Sequence, residues 1–351
     1  MTAQMKTTLK NSLGKTLGAL AVTAAMATPA LAGGTKLDIQ SAWPLTMPAS
    51  GANAAYLGEK LNEASGGALD VTVYGAGKLV PSLQIFDAVQ QGSLDAGITS
   101  PLYVAGRFPA VQLFGGIPFG PDVLTHTGWL YEGGGAEIWA EIYAKQGVKT
   151  IPCGLMDSEA GGWYNFEINS LDDLKGKKIR FAGLAGEAMA KVGASIVLLP
   201  GGEIYPGMEK GIIDGTELSM PAIDITLGLQ DVGKYYYLPG WHQPAAMNEL
   251  IVNMAKWDSL DPAQQTLIEE TCKAVNLTSV ISTLTANGDA IATFEEAGVE
   301  IKSFPPEVLE GLHTAFDEVI AEQVAADADF KRVWDSLEAY RAKTAAWSER
   351  R

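Results

Sequence analysis

One arginine lies in the apolar stretch KKIRFAGLAGE, at residues 177–187, although this acidic chain uses arginine sparingly. KKIRFAG is typical of a buried strand, and the glycine-rich LAGE that follows is typical of the start of a helix. Beyond the carboxyl end of such a strand, free backbone N–H groups attract anions, and a guanidinium offers two parallel donors that match a carboxylate. We therefore predict that Arg180 binds an anionic ligand. The alternative is an internal salt bridge to Glu187 or Glu217.

Three other side chains could line a cleft around this arginine. Glu217 lies inside the apolar segment TELSM, where a buried carboxylate requires a salt bridge or a cation. Trp163, in the aromatic segment GGWYNF, could form a cleft wall or pack in the core. Tyr103, in PLYVAG, follows a strand of the first half of the chain and is expected across the cleft. Arg107, which precedes Phe-Pro, is expected on a surface loop.

The chain carries no strong catalytic signature. It contains no G-x-S-x-G, P-loop, H-E-x-x-H or C-x-x-C motif, and GAG at 75–77 lacks the third glycine of a dinucleotide fingerprint. Its three histidines, His126, His242 and His313, are scattered, without the spacing of a catalytic triad or a zinc site. We therefore do not expect an enzyme.

The first 32 residues read as a secretory signal. Lys6, Lys10 and Lys15 precede the short apolar segment TLGALAVTAAMA, and TPALA ends in the small-x-small pattern of a cleavage site after Ala32. Cleavage would leave enough chain for two domains, exported most simply to a periplasm. Because it removes three lysines and no acids, the net charge moves from −16 to −19. That charge argues against nucleic acid or an anionic membrane as partners, but not against a small anion in one cationic pocket.

The chain has only two cysteines, Cys153 and Cys272. This number excludes a disulfide scaffold, although an exported protein could still join them. We expect two separate buried thiols.

Strand and helix patterns alternate along most of the chain, which predicts an α/β architecture with mostly parallel strands. Two segments echo each other: IFDAVQQGSLDAGITS at 85–100 and IYPGMEKGIIDGTELS at 204–219 both run from a helix through a glycine into a strand. The echo suggests two similar domains whose facing surfaces form a ligand cleft. The alternative is that helix–glycine–strand turns look alike in general. A long helical pattern covers roughly 124–146.

The pattern predicts domains that the chain crosses between more than once. Residues 33–155 with 221–255 are predicted as the first α/β domain, and 156–220 with 256–305 as the second. Long C-terminal helices are expected over 306–351. Their apolar positions recur at helical spacing, which suits either self-association or the core: Val308, Leu309, Leu312, Phe316, Val319 and Ile320.

Seven blocks follow one another in this chain: AWP, GAGKLVPSLQIFDAVQQGSLDAG, PFG, WLYEGGGAE, KGKKIRFAGLAGE, LPGGEIYPGMEKGIIDG and KYYYLPGWHQP. In this order they resemble the periplasmic receptors of tripartite ATP-independent (TRAP) transporters, in the branch that includes 2-oxo-acid and lactate receptors. The resemblance runs from about Lys36 to the final helices. It implies a two-domain, periplasmic-binding-protein-like receptor that closes on a small organic acid anion and delivers it to a sodium-coupled membrane permease.

The resemblance also implies roles for particular residues. Arg180 would pair with the ligand carboxylate, and a calcium or sodium ion would lie beside the ligand. In that branch a glutamine before G-G-W and an E-W pair hold the metal, whereas this chain has Glu159 and Glu217–Leu218. Residues 155–158 also depart from the branch's pattern, and its paired tyrosines are reduced to Leu102–Tyr103.

These departures leave alternatives open. Two carboxylates with backbone oxygens suit a hard ion, and the extra charge of Glu159 favours Ca²⁺ over Na⁺; otherwise the metal site is lost and Glu217 pairs with Arg180. The ligand is expected to be a 2-oxo or 2-hydroxy monocarboxylate, with a larger carboxylate or a sulfonate as alternative. A secreted enzyme and a sensor-only binding protein are the alternatives from other classes. Some members of the branch dimerise through the C-terminal region, so a homodimer is a further expected partner.

Overall fold

The computed structural model of the protein describes residues 33–348 and Arg350, and the predicted signal at 1–32 lies outside the described residues. The strands are β1 (Thr35–Ser41), β2 (Leu69–Tyr74), β3 (Ala96–Thr99), β4 (Val148–Met156), β5 (Gly162–Tyr164), β6 (Lys178–Arg180), β7 (Ser195–Val197), β8 (Gly215–Thr216), β9 (Tyr235–Tyr237), β10 (Ala246–Asn253) and β11 (Glu300–Lys302). The α-helices are α1 (Ser50–Ala64), α2 (Ile85–Gln90), α3 (Gln112–Gly115), α4 (Val123–Glu132), α5 (Gly135–Ala144), α6 (Gly183–Lys191), α7 (Gly201–Glu209), α8 (Pro221–Asp224), α9 (Met254–Asp258), α10 (Pro262–Glu296), α11 (Pro306–Ala326) and α12 (Ala328–Ser348).

The strands form two sheets. The first has the order β2-β1-β3-β10-β4, and the second has the order β11-β9-β5-β8-β6-β7. In the first sheet β10 runs antiparallel to β3 and β4, and in the second β5 runs antiparallel to β8 and β9; the other pairs are parallel. Both antiparallel strands directly follow a crossing of the chain from one sheet to the other. The predicted α/β class is thereby confirmed.

The sheets divide the chain differently from the sequence-based boundaries at two places. Strand β9 belongs to the second sheet, although it lies within 221–255, which the sequence assigns to the first domain. Helix α10 packs against β4 and α1 of the first sheet and also against α8, although 256–305 is assigned to the second domain. A helix of 35 residues can serve both sheets because it is about 50 Å long.

The helical pattern at 124–146 folds as two helices, α4 and α5, rather than one. They are separated at Gly133 and Gly134, and Gly134 has a φ of 84°. This left-handed conformation interrupts a helix, and glycine adopts it without the steric cost that other residues incur.

The C-terminal helices pack on the rest of the chain. Helix α11 lies against α6, and α12 lies against α4 and α5. Leu309 is partly buried, and the other apolar positions that the sequence offered for self-association are buried in the core: Val308, Leu312, Phe316, Val319 and Ile320. Of the two alternatives, the structure therefore supports core packing for these positions.

Cys153 and Cys272 form a disulfide bond, so the expectation of two separate thiols is wrong. Cys153 lies on β4 and Cys272 on α10. Because α10 packs along β4, it brings together two cysteines that are 119 positions apart in the sequence. That tertiary contact cannot be read from the spacing of the cysteines.

A carboxyl group is buried in the first sheet at Glu249 on β10, whose side chain is completely inaccessible to solvent. The hydroxyl of Tyr143 donates to its Oε1 at 3.2 Å, and the hydroxyl of Thr150 donates to its Oε2 at 3.2 Å. Burial outweighs these hydrogen bonds and raises the pKa of Glu249 to about 8. The fold therefore favours the protonated form of this side chain.

We predict that Glu249→Gln reduces the loss of stability between pH 5 and 8. A carboxyl group with a raised pKa in the folded state binds its proton more tightly there than in the unfolded chain, so stability falls as the pH rises from about 4.5 towards about 8. The amide does not titrate. The free energy of unfolding of the variant, taken relative to that of the parent chain, should therefore be higher at pH 8 than at pH 5 by on the order of a few kcal/mol. Urea unfolding at both pH values measures this difference, with exposed Glu270→Gln as the control. An identical pH dependence in Glu249→Gln and the parent chain would contradict the prediction.

Candidate ligand-binding site

A small cavity of about 40 Å³ lies where the two sheets face each other. Such a volume holds only a few water-sized groups. Charged and polar side chains line it together with apolar ones: Trp43, Met47, Ser50, Ser100, Leu102, Tyr103, Gly115, Met156, Glu159, Arg180, Ala182, Glu217, Leu218, Ser219, Ile223, Gln243, Ala246 and Asn248.

The ends of strands from both sheets supply this lining. Ser100 and Tyr103 follow β3 of the first sheet, Arg180 ends β6 of the second, and Glu217 follows β8 beside it. The two segments that echo each other in sequence, 85–100 and 204–219, thus both end at the cavity. Backbone pairing continues beyond β8, because the N–H of Glu217 donates to the carbonyl oxygen of Arg180 at 3.1 Å. The carboxyl ends of these strands therefore hold the cavity side chains in place.

Arg180 is 2% exposed and pairs with Glu217. Its Nη1 donates to Glu217 Oε2 at 2.8 Å and to the Glu217 carbonyl oxygen at 2.5 Å, and its Nε donates to the Leu199 carbonyl oxygen at 3.3 Å. The second residue offered as a salt-bridge partner, Glu187, instead accepts a hydrogen bond from Gln323. None of the hydrogen bonds of the described residues uses Nη2 of Arg180. Nη1 of the guanidinium is thus committed to Glu217.

Glu159 is the second buried carboxylate of the cavity, with 3% of its surface exposed. Its backbone N–H donates to the carbonyl oxygen of Gln243 at 3.0 Å, and its carbonyl oxygen accepts from Gly240 at 2.8 Å. Its Oε1 accepts from the hydroxyl of Ser219 at 3.1 Å. A Cβ at Gly240 would lie 2.5 Å from the Glu159 carbonyl oxygen, so only glycine permits this close approach.

His242 joins the two carboxylates, a role that the sequence does not reveal. Its ring is 1% exposed, and its Nε2 lies 3.2 Å from Glu159 Oε2 and 3.4 Å from Glu217 Oε1. The ring also makes an edge contact with Phe181. No short-range spacing links 159, 217 and 242, because the loop after β9 delivers the histidine from another part of the chain. The only signal was its place in the block KYYYLPGWHQP.

The charges of this cluster depend on one another. Burial lowers the pKa of His242, but the two carboxylates beside it more than reverse this and raise the pKa to about 9. Burial raises the pKa of Glu159. Burial acts in the same direction on Glu217, but Arg180 and His242 outweigh it, so the pKa of Glu217 lies below its ordinary value. Near neutral pH, Arg180 and His242 are therefore positively charged and face the ionised carboxylate of Glu217.

The structure brings most of the remaining predicted residues to the cavity. Tyr103 and Leu218 both line it, and the ring of Tyr103 lies 6.0 Å from that of Trp43. Trp163 does not line the cavity. Its side chain is fully buried in the core of the second sheet, where Nε1 donates to Asp224 Oδ2 at 3.0 Å. Arg107 lies on the surface, as expected, and pairs with Asp87 at 2.7 Å.

Side-chain atoms of Glu159, Glu217 and His242 lie within 4.8 Å of one another, a grouping that could hold a metal ion. The carboxylate oxygens suit a hard cation such as Ca²⁺ or Na⁺. His242 Nδ1 is buried and finds no hydrogen-bond partner within the described part of the chain. The residues therefore fit a cation that neutralises the two carboxylates, as His242 does between them here.

Two facing α/β sheets around a small, charged, buried cavity are the architecture of a solute-binding receptor. The chain belongs to the bacterial extracellular solute-binding protein family 7 (DctP), whose model matches residues 41–327. It is a solute-binding receptor of the TRAP transporter type, a class that is not enzymatic. None of the helices in the described part of the chain is both long and apolar enough to cross a membrane.

Known relatives share most of the length of the chain. It is 33% identical over 308 residues to the monocarboxylate 2-oxoacid-binding periplasmic protein of Nostoc sp., which covers 88% of this chain and 84% of the relative. It is 29% identical, with a TM-score of 0.87, to a TRAP transporter solute-binding protein of Bordetella bronchiseptica, solved as a dimer with calcium and picolinate in one active site; 90% of this chain and 94% of that chain are covered. It is 30% identical, with a TM-score of 0.86, to a TRAP periplasmic solute-binding protein of Pseudoalteromonas atlantica with bound sodium and pyruvate; 90% and 96% are covered.

We predict that His242→Gln destabilises the ligand-free protein in calcium-free buffer. Removal of the cationic ring leaves Glu159 and Glu217 buried without the charge between them, which should cost roughly 3 kcal/mol. Calcium should restore part of the loss, because it neutralises the same carboxylates. Urea unfolding with and without calcium measures both effects.

His313→Gln is the matched control, because the His313 side chain is 52% exposed and its ion pair with Asp317 lies on the surface of α11. It should change stability by less than about 1 kcal/mol. Equal stability of His242→Gln and the parent chain would show that the ring does not balance the carboxylates.

Proposed function

We propose that the protein is a periplasmic receptor that binds a small 2-oxo or 2-hydroxy monocarboxylate through Arg180, with a cation beside the ligand, and delivers it to a membrane permease without chemical change. The observation that carries this proposal is a buried arginine in a small cavity between two sheets, whose hydrogen bonds to Glu217 and Leu199 use Nη1 and Nε. The bound pyruvate and picolinate of the two solved relatives, both carboxylates, support the same ligand class.

Arg180 would bind the ligand with one arm while the other holds Glu217. Because Nη1 already donates two hydrogen bonds to Glu217, the ligand carboxylate would accept hydrogen bonds from Nη2 alone. It would not be held by two nitrogen atoms in parallel. Exclusion of water from the closed cavity strengthens this pairing, since the interaction between charges grows as the effective dielectric constant falls. The salt bridge to Glu217 and the ligand contact therefore use different nitrogen atoms of one guanidinium.

The cation would be held by Glu159 and Glu217, with the Leu218 carbonyl group as a backbone ligand. Arg180 and His242 already face two carboxylates, so an entering anion adds a charge that nothing in the ligand-free cluster balances. A bound cation supplies the missing positive charge at the ligand. Two carboxylates in place of one favour Ca²⁺ over Na⁺. Tyr103, across the cavity, would contact the ligand from the first sheet.

The cavity favours this ligand class over the alternatives. A volume of about 40 Å³ suits a ligand of few atoms better than a larger carboxylate or sulfonate. An enzyme is less well supported, since the family is a receptor family and the buried His242 bridges two carboxylates rather than activating a nucleophile. The TRAP relatives support transport rather than sensing.

We predict that Arg180→Ala weakens pyruvate binding by roughly 30-fold to several thousand-fold, because loss of one partner of a buried charge pair costs about 2–5 kcal/mol. The variant should also melt at a lower temperature without ligand, since Glu217 loses its partner. Arg180→Lys should bind poorly as well, because one ammonium group cannot serve Glu217 and the ligand through separate nitrogens. Calorimetry on the folded variants measures the affinities.

Arg107→Ala is the matched control, because Arg107 also forms a salt bridge but lies on the surface. It should bind pyruvate as the parent chain does. If Arg180→Ala lost stability yet bound pyruvate with near-parent affinity, Arg180 would be a structural residue and the proposed role would be wrong.

We also propose that the receptor forms a homodimer through an exposed stripe of α10, made of Leu277, Ile281 and Leu284 at helical spacing. These side chains are 65%, 62% and 72% exposed. They lie in the uncharged segment 274–288 of a chain with a net charge of −16. Two copies of so acidic a chain repel each other unless they meet at an uncharged surface. The dimeric Bordetella relative supports a second copy as the occupant.

Light scattering at high micromolar concentration should give twice the chain mass for the parent protein and a single chain mass for Ile281→Glu, since a buried unpaired carboxylate opposes association. Leu124→Glu, equally exposed on α4, should remain dimeric. A monomeric parent protein, or a dimeric Ile281→Glu, would contradict the α10 interface.

A further inference from the structure

One polar side chain in the cavity has no role in the charged cluster. Asn248 lies on β10 of the first sheet, on the opposite sheet from Arg180, and is 3% exposed. It lines the same cavity as Arg180, Glu217 and Tyr103. Its amide nitrogen Nδ2 is buried and has no hydrogen-bond acceptor among the described residues. A buried amide without a partner costs about 1–3 kcal/mol, so packing alone does not explain it.

The sheet is irregular at the point where Asn248 lies. Met247 pairs with Leu155 and Glu249 with Pro152, so two residues of β4 face the single Asn248. This is a β-bulge, a feature that redirects side chains and often occurs beside binding sites.

Neighbouring residues maintain this bulge. Gly154 on β4 has a φ of 123°, and a Cβ there would lie 3.1 Å from the Cβ of Asn248. Its N–H and that of Leu155 donate to Oδ1 of Asn276 on α10 at 2.6 and 3.0 Å. A glycine thus makes room for Asn248, and a buried amide from α10 satisfies the backbone groups that the bulge leaves unpaired.

Resting on the proposed function, we propose that Asn248 is a specificity-determining residue whose Nδ2 donates a hydrogen bond to the oxygen on carbon 2 of the bound acid. Arg180 holds the carboxylate from the second sheet, and Asn248 meets the adjacent oxygen from the first. The cavity of about 40 Å³ keeps both groups within reach of one small ligand. The class selected is an acid with a 2-oxo or 2-hydroxy oxygen, in preference to one whose carbon 2 carries only hydrogen.

The arrangement also links recognition to the contact between the sheets. An acid without an oxygen on carbon 2 leaves Nδ2 of Asn248 unpaired. Such an acid also lacks the hydrogen bond that connects the ligand to the first sheet. Sites built to hydrogen-bond a ligand group discriminate against analogues that lack it, because the buried donor is then left without a partner.

Pyruvate and propionate test the proposal, because they have similar size and differ by the oxygen on carbon 2. Calorimetry would compare the two acids on the parent chain and on Asn248→Leu, which keeps the branching and the number of side-chain heavy atoms but has no donor. The pyruvate affinity of the variant should fall about 5-fold to 150-fold, the equivalent of a 1–3 kcal/mol hydrogen bond. Its propionate affinity should change little, so the preference for pyruvate should collapse. The ligand-free variant should unfold at the same or a higher temperature, since an unpaired buried amide is gone.

Three outcomes would overturn the proposal. Equal losses for pyruvate and propionate in Asn248→Leu would assign Asn248 a structural role, and an unchanged preference for pyruvate would remove it from recognition. If Asn248→Leu fails to fold, the same comparison is made on Asn248→Ala. Binding of neither acid to the parent chain would overturn the proposed function itself, whereas pyruvate binding with an unchanged preference overturns the role of Asn248 alone.

Discussion

Burial of charge in a small cavity is the constraint on which this structure depends. Arg180, His242, Glu159 and Glu217 are each no more than 3% exposed, so each charge must be balanced by another within the cluster. Arg180 balances Glu217, and His242 lies between Glu217 and Glu159. The same constraint applies to the proposed ligand: an anion that enters beside two buried carboxylates is favoured by a further positive charge next to it.

The fold serves this constraint by bringing short strand ends to one place. Strands β6 and β8 are only three and two residues long, yet their carboxyl ends position Arg180 and Glu217 side by side. The loop after β9 carries His242 back to them, and the bulged pair β10–β4 supplies Asn248 from the other sheet. Long helices, above all α10, hold the two sheets against each other. The helices and strands thus form the frame, and the strand ends, the loop after β9 and the bulge carry the polar side chains of the cavity.

The sequence predicted what depends on local pattern and missed what depends on distant contacts. The α/β class and the placement of Arg180, Glu217 and Tyr103 at the cavity followed from strand and helix patterns and from the rule that ligands bind at strand ends. Trp163 was ambiguous, because an aromatic residue suits a cleft wall and a core equally. His242 and the disulfide between Cys153 and Cys272 were missed, because both join segments far apart in the chain.

The most direct test of the account is the affinity for pyruvate measured by calorimetry in sodium-free buffer, with chelator and then with saturating calcium. The account predicts that calcium strengthens pyruvate binding by about 5-fold to 150-fold, the usual range of coupling between two sites. By linkage, pyruvate must strengthen calcium binding by the same factor. Equal pyruvate affinity with chelator and with calcium would show that the anion enters without a compensating cation, and the charge balance described for this cavity would be wrong.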